Sequence, residues 1–171
     1  MVFIREYAMA ASTSHAQKAS ERESVLFKLV RKDHDDVREL LDATAKGIRS
    51  DDRERSRTAF AEALEQHMAA EERVLYPALA RIPALRGFID RMRAQHESLR
   101  DGLATLAGLP ASDPDFDGAL DEVRHTLAEH VNEEENALFT HAVEHLAGEL
   151  EQLAVELEAV RQEEHGSYGV G

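Results

Sequence analysis

Apolar residues recur along this chain at spacings of three and four, the period of a helix with one buried face. Leu26, Val30, Val37 and Leu41 mark one stripe, and Phe60, Leu64 and Val74 a second. Leu85, Ile89, Met92, Leu99 and Leu103 mark a third, and Val123, Leu127 and Ala137 a fourth. No segment sustains the alternation of a strand, so the chain reads as all-α. The first helix is expected to open on the capping pair Ser20 and Glu23 and to run to about Gly47. The second runs from Ser50 to about Arg81, with a kink or an early end at Pro77. The third follows Pro83 and ends near Leu109, and the fourth starts on Asp113 as N-cap with Pro114 behind it and reaches about His145. Beyond Gly148, Leu150, Leu153, Leu157 and Val160 predict a short fifth helix. Short connections favour antiparallel neighbours. The expected fold is therefore an antiparallel up-down-up-down four-helix bundle over residues 21–147, with a short additional C-terminal helix over 148–165 packed on it. Residues 1–20 read as a flexible extension and 166–171 as a tail.

The stripes are not wholly apolar. His34, His67, His96 and His130 each take a core-facing position near the midpoint of a helix, and Glu71 and Glu134 follow His67 and His130 one turn later. Residues four apart share a helical face. A buried polar group without a partner costs roughly 1–3 kcal/mol, and an unpaired charge far more. Six such groups must satisfy one another or something bound between them. Antiparallel helices set their midpoints at one height, so the six should converge on a single layer. The pattern also repeats: His67-x3-Glu71-Glu72-x2-Leu75-Tyr76 matches His130-x3-Glu134-Glu135-x2-Leu138-Phe139, and the surroundings of His34 match those of His96. The H-x3-E spacing alone says little, since His125/Glu129 and His145/Glu149 share it without the stripe or the repeat.

Imidazole and carboxylate together suit iron, zinc, manganese or copper. Four imidazoles and two carboxylates are too many for one tetrahedral zinc, and they suit a pair of ions with the carboxylates bridging. The net charge of −14 argues against nucleic acid and against an anionic membrane surface. With no cysteine there is neither a disulfide framework nor a thiolate site. No apolar run reaches the roughly 20 residues of a membrane span, and the N-terminus lacks the apolar run of a secretory signal. The expected location is the cytoplasm.

The order H…H-x3-E…H…H-x3-E, with HMAAEERVLYPAL and HVNEEENALF as its paired segments, resembles the hemerythrin HHE cation-binding domain over roughly residues 24–145. The resemblance implies two iron ions, oxo- or hydroxo-bridged, with His34, His67, Glu71, His96, His130 and Glu134 as ligands and the two glutamates bridging. Oxygen-carrying hemerythrins have a fifth histidine one turn from the third-helix ligand. Here Met92 and Arg100 stand four before and four after His96. The chain is more similar to the bacterial and mycobacterial hemerythrin-like proteins. That implies binding or turnover of a small oxidant (O2, H2O2 or NO), with catalase-like peroxide removal as one activity and a non-catalytic iron or oxygen sensor as the alternative. A ferritin-like oxidase would use E-x-x-H twice, and Glu122/His125 alone has that spacing. Tyr76 and Phe139 read as core packing, Glu72 and Glu135 as facing solvent or supporting the ligands, and His141 as a surface histidine near a helix end. His15, His125 and His165 read as incidental.

Overall fold

The computed structural model describes residues 24–168, the side chains as far as residue 163. The described residues are helical and contain no strand. Helix α1 spans Val25–Lys46 and α2 Ser50–Ala70; a π-helical turn, Glu71–Leu75, carries α2 into α3, Tyr76–Ala80. A 3-10 turn at Pro83–Leu85 leads to α4, Arg86–Ala107. Helix α5, Phe116–Glu133, passes through a second π turn, Glu134–Leu138, into α6, Phe139–Leu146, and α7 spans Leu150–Tyr168. None of these helices is long and apolar enough to cross a membrane.

Two expectations about helix ends need correcting. Helix α5 begins at Phe116, not at Pro114, because the Asp113 carboxylate accepts the Asp115 N–H at 2.9 Å, two residues on, and forms a turn instead of a cap. The helix then starts where Phe116, fully buried, can enter the core. Pro77 does not end the second arm, since it sits in the first turn of α3 just past the π turn, where a missing N–H is tolerated. The capping pair Ser20 and Glu23 lies outside the described residues. Helix α7 continues to Tyr168, past residue 165.

Pro77 does not cause the π turn either. The second turn falls at the matching place, Glu134–Leu138, where no proline follows. In each, the N–H of the aromatic residue bonds back five positions, Tyr76 to the Glu71 carbonyl and Phe139 to that of Glu134. A π turn holds one residue more than an α turn, so residue i+5 comes to lie above residue i. In the first repeat this brings the Tyr76 hydroxyl to 3.3 Å from Glu71 Oε2.

Helix α1 packs along α2, α4 along α5, and α7 against α1 and α2. The apolar interior forms two clusters. One joins Leu26, Phe27 and Val30 to Leu75, Leu79, Ile89 and Met92, and α7 adds Leu150, Leu153 and Leu157 to it. Phe27 and Phe139 stack within this cluster with ring centroids 4.3 Å apart. The other joins Val37, Leu41, Phe60, Leu64, Leu99, Phe116 and Leu127. Between the two clusters lies a layer of buried polar side chains.

Candidate metal centre

His34, His67, Glu71, His96, His130 and Glu134 are each at most 3% exposed, and they make up most of that layer. Each arm contributes where its stripe crosses the molecule: α1 gives His34, α2 gives His67, α4 gives His96 and α5 gives His130. The first residue of each π turn supplies the glutamate.

All four imidazoles turn Nε2 inward. His34 Nε2 lies 3.0 Å from Glu134 Oε2, and His67 Nε2 lies 3.5 Å from Glu71 Oε1. His96 Nε2 lies 3.3 Å from Glu71 Oε2 and 3.3 Å from His130 Nε2. His130 Nε2 is 3.6 Å from Glu134 Oε2. The donor atoms fall into two groups that share Glu71: His34, His67, Glu71 and Glu134 in one, and Glu71, His96 and His130 in the other, each within 4.8 Å.

Protein alone does not satisfy this layer. His67 Nε2, Glu71 Oε1 and Glu134 Oε1 are buried and have no hydrogen-bond partner. Leaving each so costs about 1–3 kcal/mol. All three point to the shared centre, where cations would be their partners. Soft sulfur donors are absent, and the mix of imidazole and carboxylate fits iron, manganese, zinc or copper.

The outer nitrogens are held as well. His34 Nδ1 donates to Glu135 Oε1 at 2.8 Å, His96 Nδ1 to Glu72 Oε1 at 2.8 Å, and His130 Nδ1 to Gln95 Oε1 at 3.2 Å. Such partners fix the tautomer that leaves Nε2 free for a metal and strengthen it as a donor. Both carboxylates are steadied in turn: Arg100 bonds Glu72 at 3.0 and 3.1 Å, and Arg31 lies 3.5 Å from Glu135. Glu72 and Glu135 thus support the donors, which was one of their two sequence readings. Arg100 points away from the centre, at Glu72, Glu65 and Glu97. Replacing Glu72 by Gln should weaken metal binding about 10–100-fold. Isothermal titration of the metal-free variant checks this, and an unchanged affinity would show that the outer bond to His96 is idle.

The electrostatics follow from the packing. Burial pushes the Glu71 carboxyl well above its ordinary value, and the charge of Glu134 beside it adds to the rise. Burial acts on Glu134 too, but the hydrogen bond and charge of His34 outweigh it and hold that carboxyl low. On His34 burial opposes the charge, yet Glu134 and Glu135 raise the imidazole to about 9. Burial holds His67 well below the usual imidazole range and His130 at about 4, so both stay neutral as metal ligands require. For Glu72 burial is outweighed by the hydrogen bonds of His96 and Arg100, and it drops to about 2.

Tyr76 was read from sequence as packing, and its position changes that reading. Its hydroxyl donates to Glu71 Oε2 at 3.3 Å and lies 2.9 Å from His96 Nε2. Burial first, and then the charge of Glu71, keep the hydroxyl protonated. Two signals in the sequence point to it. A fully buried Tyr needs a partner for its hydroxyl, and Tyr76 against Phe139 is a polar difference within the repeat. Gln95 had no such signal, because one glutamine beside a ligand on a helix says nothing of its partner.

The remaining histidines stand apart. His125 is exposed and pairs with Glu129 at 3.2 Å. His141, Glu144 and His145 form a group of their own at the surface, in which His141 is half-buried with its ring against Phe88. His15 and the side chain of His165 lie outside the described residues. Comparison with curated proteins and with solved structures returns no match. Residues 23–142, well over half of the chain, match the model of the hemerythrin HHE cation binding domain, and the chain belongs to that family.

Proposed function

We propose that this protein is a cytoplasmic non-haem diiron protein that binds and turns over a small oxidant (O2, H2O2 or NO), with peroxide disproportionation as its activity. The four long arms form an antiparallel up-down-up-down bundle. His34, His67, Glu71 and Glu134 would hold one iron, and Glu71, His96 and His130 the other. Glu71 would be shared between the two ions, since it belongs to both groups, and Glu134 would be shared too, since its Oε2 faces both His34 and His130. Bound iron would supply the two-electron redox change, so that one H2O2 gives up two electrons and two protons and leaves as O2 while a second takes them up and leaves as two waters. The chain's own residues orient that pair, exclude bulk water between two apolar clusters, and hold a proton at Tyr76 Oη.

The observation that carries the choice of turnover over carriage is the pair Met92 and Arg100, one turn before and one turn after His96. Met92 is fully buried and a thioether is a poor ligand for ferric iron, while Arg100 is engaged by Glu65, Glu72 and Glu97, so neither offers the further imidazole of the oxygen carriers. Six protein residues then leave both ions short of six donors, with room for exogenous molecules. The test is the purified protein itself. It should carry about two irons per chain, absorb in the near ultraviolet and consume hydrogen peroxide. Stoichiometric zinc with a featureless spectrum would end the diiron reading. His130→Ala should lower iron occupancy, whereas His125→Ala should leave it unchanged; equal losses would mean that the buried layer is not the iron site.

A further inference from the structure

The family match ends at residue 142, yet α7 returns to the buried donors. Its Arg161 bonds Asp33 at 2.5 Å, and Asp33 is the neighbour of His34. Between α1, α2 and α7 lies a cavity of about 70 Å³, room for a few water molecules, lined by Asp33, Asp36, Gln66, His67 and Arg161 among others. Three larger surface grooves touch none of the six donors.

The cavity meets the centre at its least constrained ligand. His34, His96 and His130 are tied at Nδ1 by Glu135, Glu72 and Gln95. His67 Nδ1 has no such partner among the described residues, although the ring is only 3% exposed. A tied imidazole cannot swing without breaking its outer bond. The His67 ring can turn toward the cavity at lower cost. Above and below the donors, the two apolar clusters close the way to a hydrated ion.

We infer that this cavity is the port through which divalent cations reach and leave the buried donors, and that the Arg161–Asp33 pair closes it. The inference rests on reading the six residues as metal donors. Carboxylate and amide oxygens are the ligands a hydrated hard cation accepts in passing. Asp36 stands at the half-exposed rim, paired along α1 with Lys32, and Asp33 stands deeper. A cation arriving at Asp33 takes the place of the Arg161 guanidinium and is then handed to His67. The partly buried charge of Arg161 otherwise repels a dication from the opening.

Co2+ is the probe, mixed with the metal-free full-length chain and followed by its visible absorption; release is then timed against excess chelator. Wild type is expected to bind two ions. Arg161→Ala should speed both uptake and release about 10-fold, and Asp36→Lys should slow uptake about 10-fold with a marked dependence on salt, at the same final stoichiometry. Arg73→Ala is the control for mere loosening of α7, because Arg73 bonds Glu163 on that helix at 2.8 Å away from the cavity. It should leave both rates unchanged. Rates within twofold of wild type in Arg161→Ala and Asp36→Lys would overturn the port, and so would an Arg73→Ala protein as fast as Arg161→Ala. A wild-type chain that takes up no Co2+ would overturn the metal reading itself, and the port with it.

Discussion

Replacing Glu71 by Leu is expected to abolish binding of both metal ions and, at the same time, to make the metal-free protein more stable. The two effects have one cause. Glu71 belongs to both donor groups, so its loss removes a ligand from each ion at once. Loss of a single imidazole such as His130 should leave one group complete. In the metal-free chain, however, Glu71 is a fully buried carboxyl with an unpartnered Oε1 beside a second carboxylate. Leucine has a similar volume and none of these costs. A buried acceptor without a partner costs about 1–3 kcal/mol, and leucine at this position carries no such acceptor. Urea unfolding of the two metal-free proteins should therefore put the midpoint of Glu71→Leu above wild type. With saturating metal the order reverses, because only wild type gains from binding, by about 4 kcal/mol for a ligand at a thousandfold its Kd. A variant that still binds two ions would refute the shared role of Glu71. One that is destabilised when metal-free would show that Tyr76 and His67 satisfy Glu71 better than the distances indicate.

The six residues of this layer were legible in the sequence because burial is periodic. A histidine in place of leucine on an apolar stripe is visible without any structure, and the repeat fixes which histidines count: His67 and His130 with it, His125 and His145 without. What the stripe could not give is the phase after each glutamate. The α period sets Leu75 and Tyr76 on faces 100° apart and leaves Tyr76 off the line of Glu71. The π turn adds a residue and brings Tyr76 above Glu71. Nothing local announces that turn; proline follows one copy and not the other. The same limit hid Gln95 and Arg161, whose roles come from partners on other helices, at 35 and 128 residues' distance along the chain. The late start of α5 was hidden differently, since Asp113 can serve equally as a cap or as the head of a turn.

The two halves of the molecule, alike in ligands, differ at the aromatic residue five positions after each glutamate, and the second large effect is expected there. Tyr76→Phe should keep about two irons per chain and lose about 100-fold in kcat for peroxide removal, with KM changed little. The Tyr76 hydroxyl is a proton donor inside the layer that no structural carboxylate outside it engages. It lies against His96 Nε2 and Glu71 Oε2, and burial and the charge of Glu71 keep its proton in place. Reducing a small oxidant in a site walled by leucine, isoleucine and methionine requires a proton from nearby, and the imidazole Nδ1 protons of His34, His96 and His130 are committed outward. Iron content separates this role from a structural one. If Tyr76→Phe loses metal as well as turnover, the hydroxyl holds the site together; if it keeps both iron and full kcat, the proton comes from elsewhere. Phe139→Tyr supplies the converse. It puts a hydroxyl at the matching position of the other repeat, five residues after Glu134, and in the Tyr76→Phe background it should restore part of the lost rate. A double variant no faster than Tyr76→Phe alone would show that the side of the centre on which the proton waits decides whether it can be used.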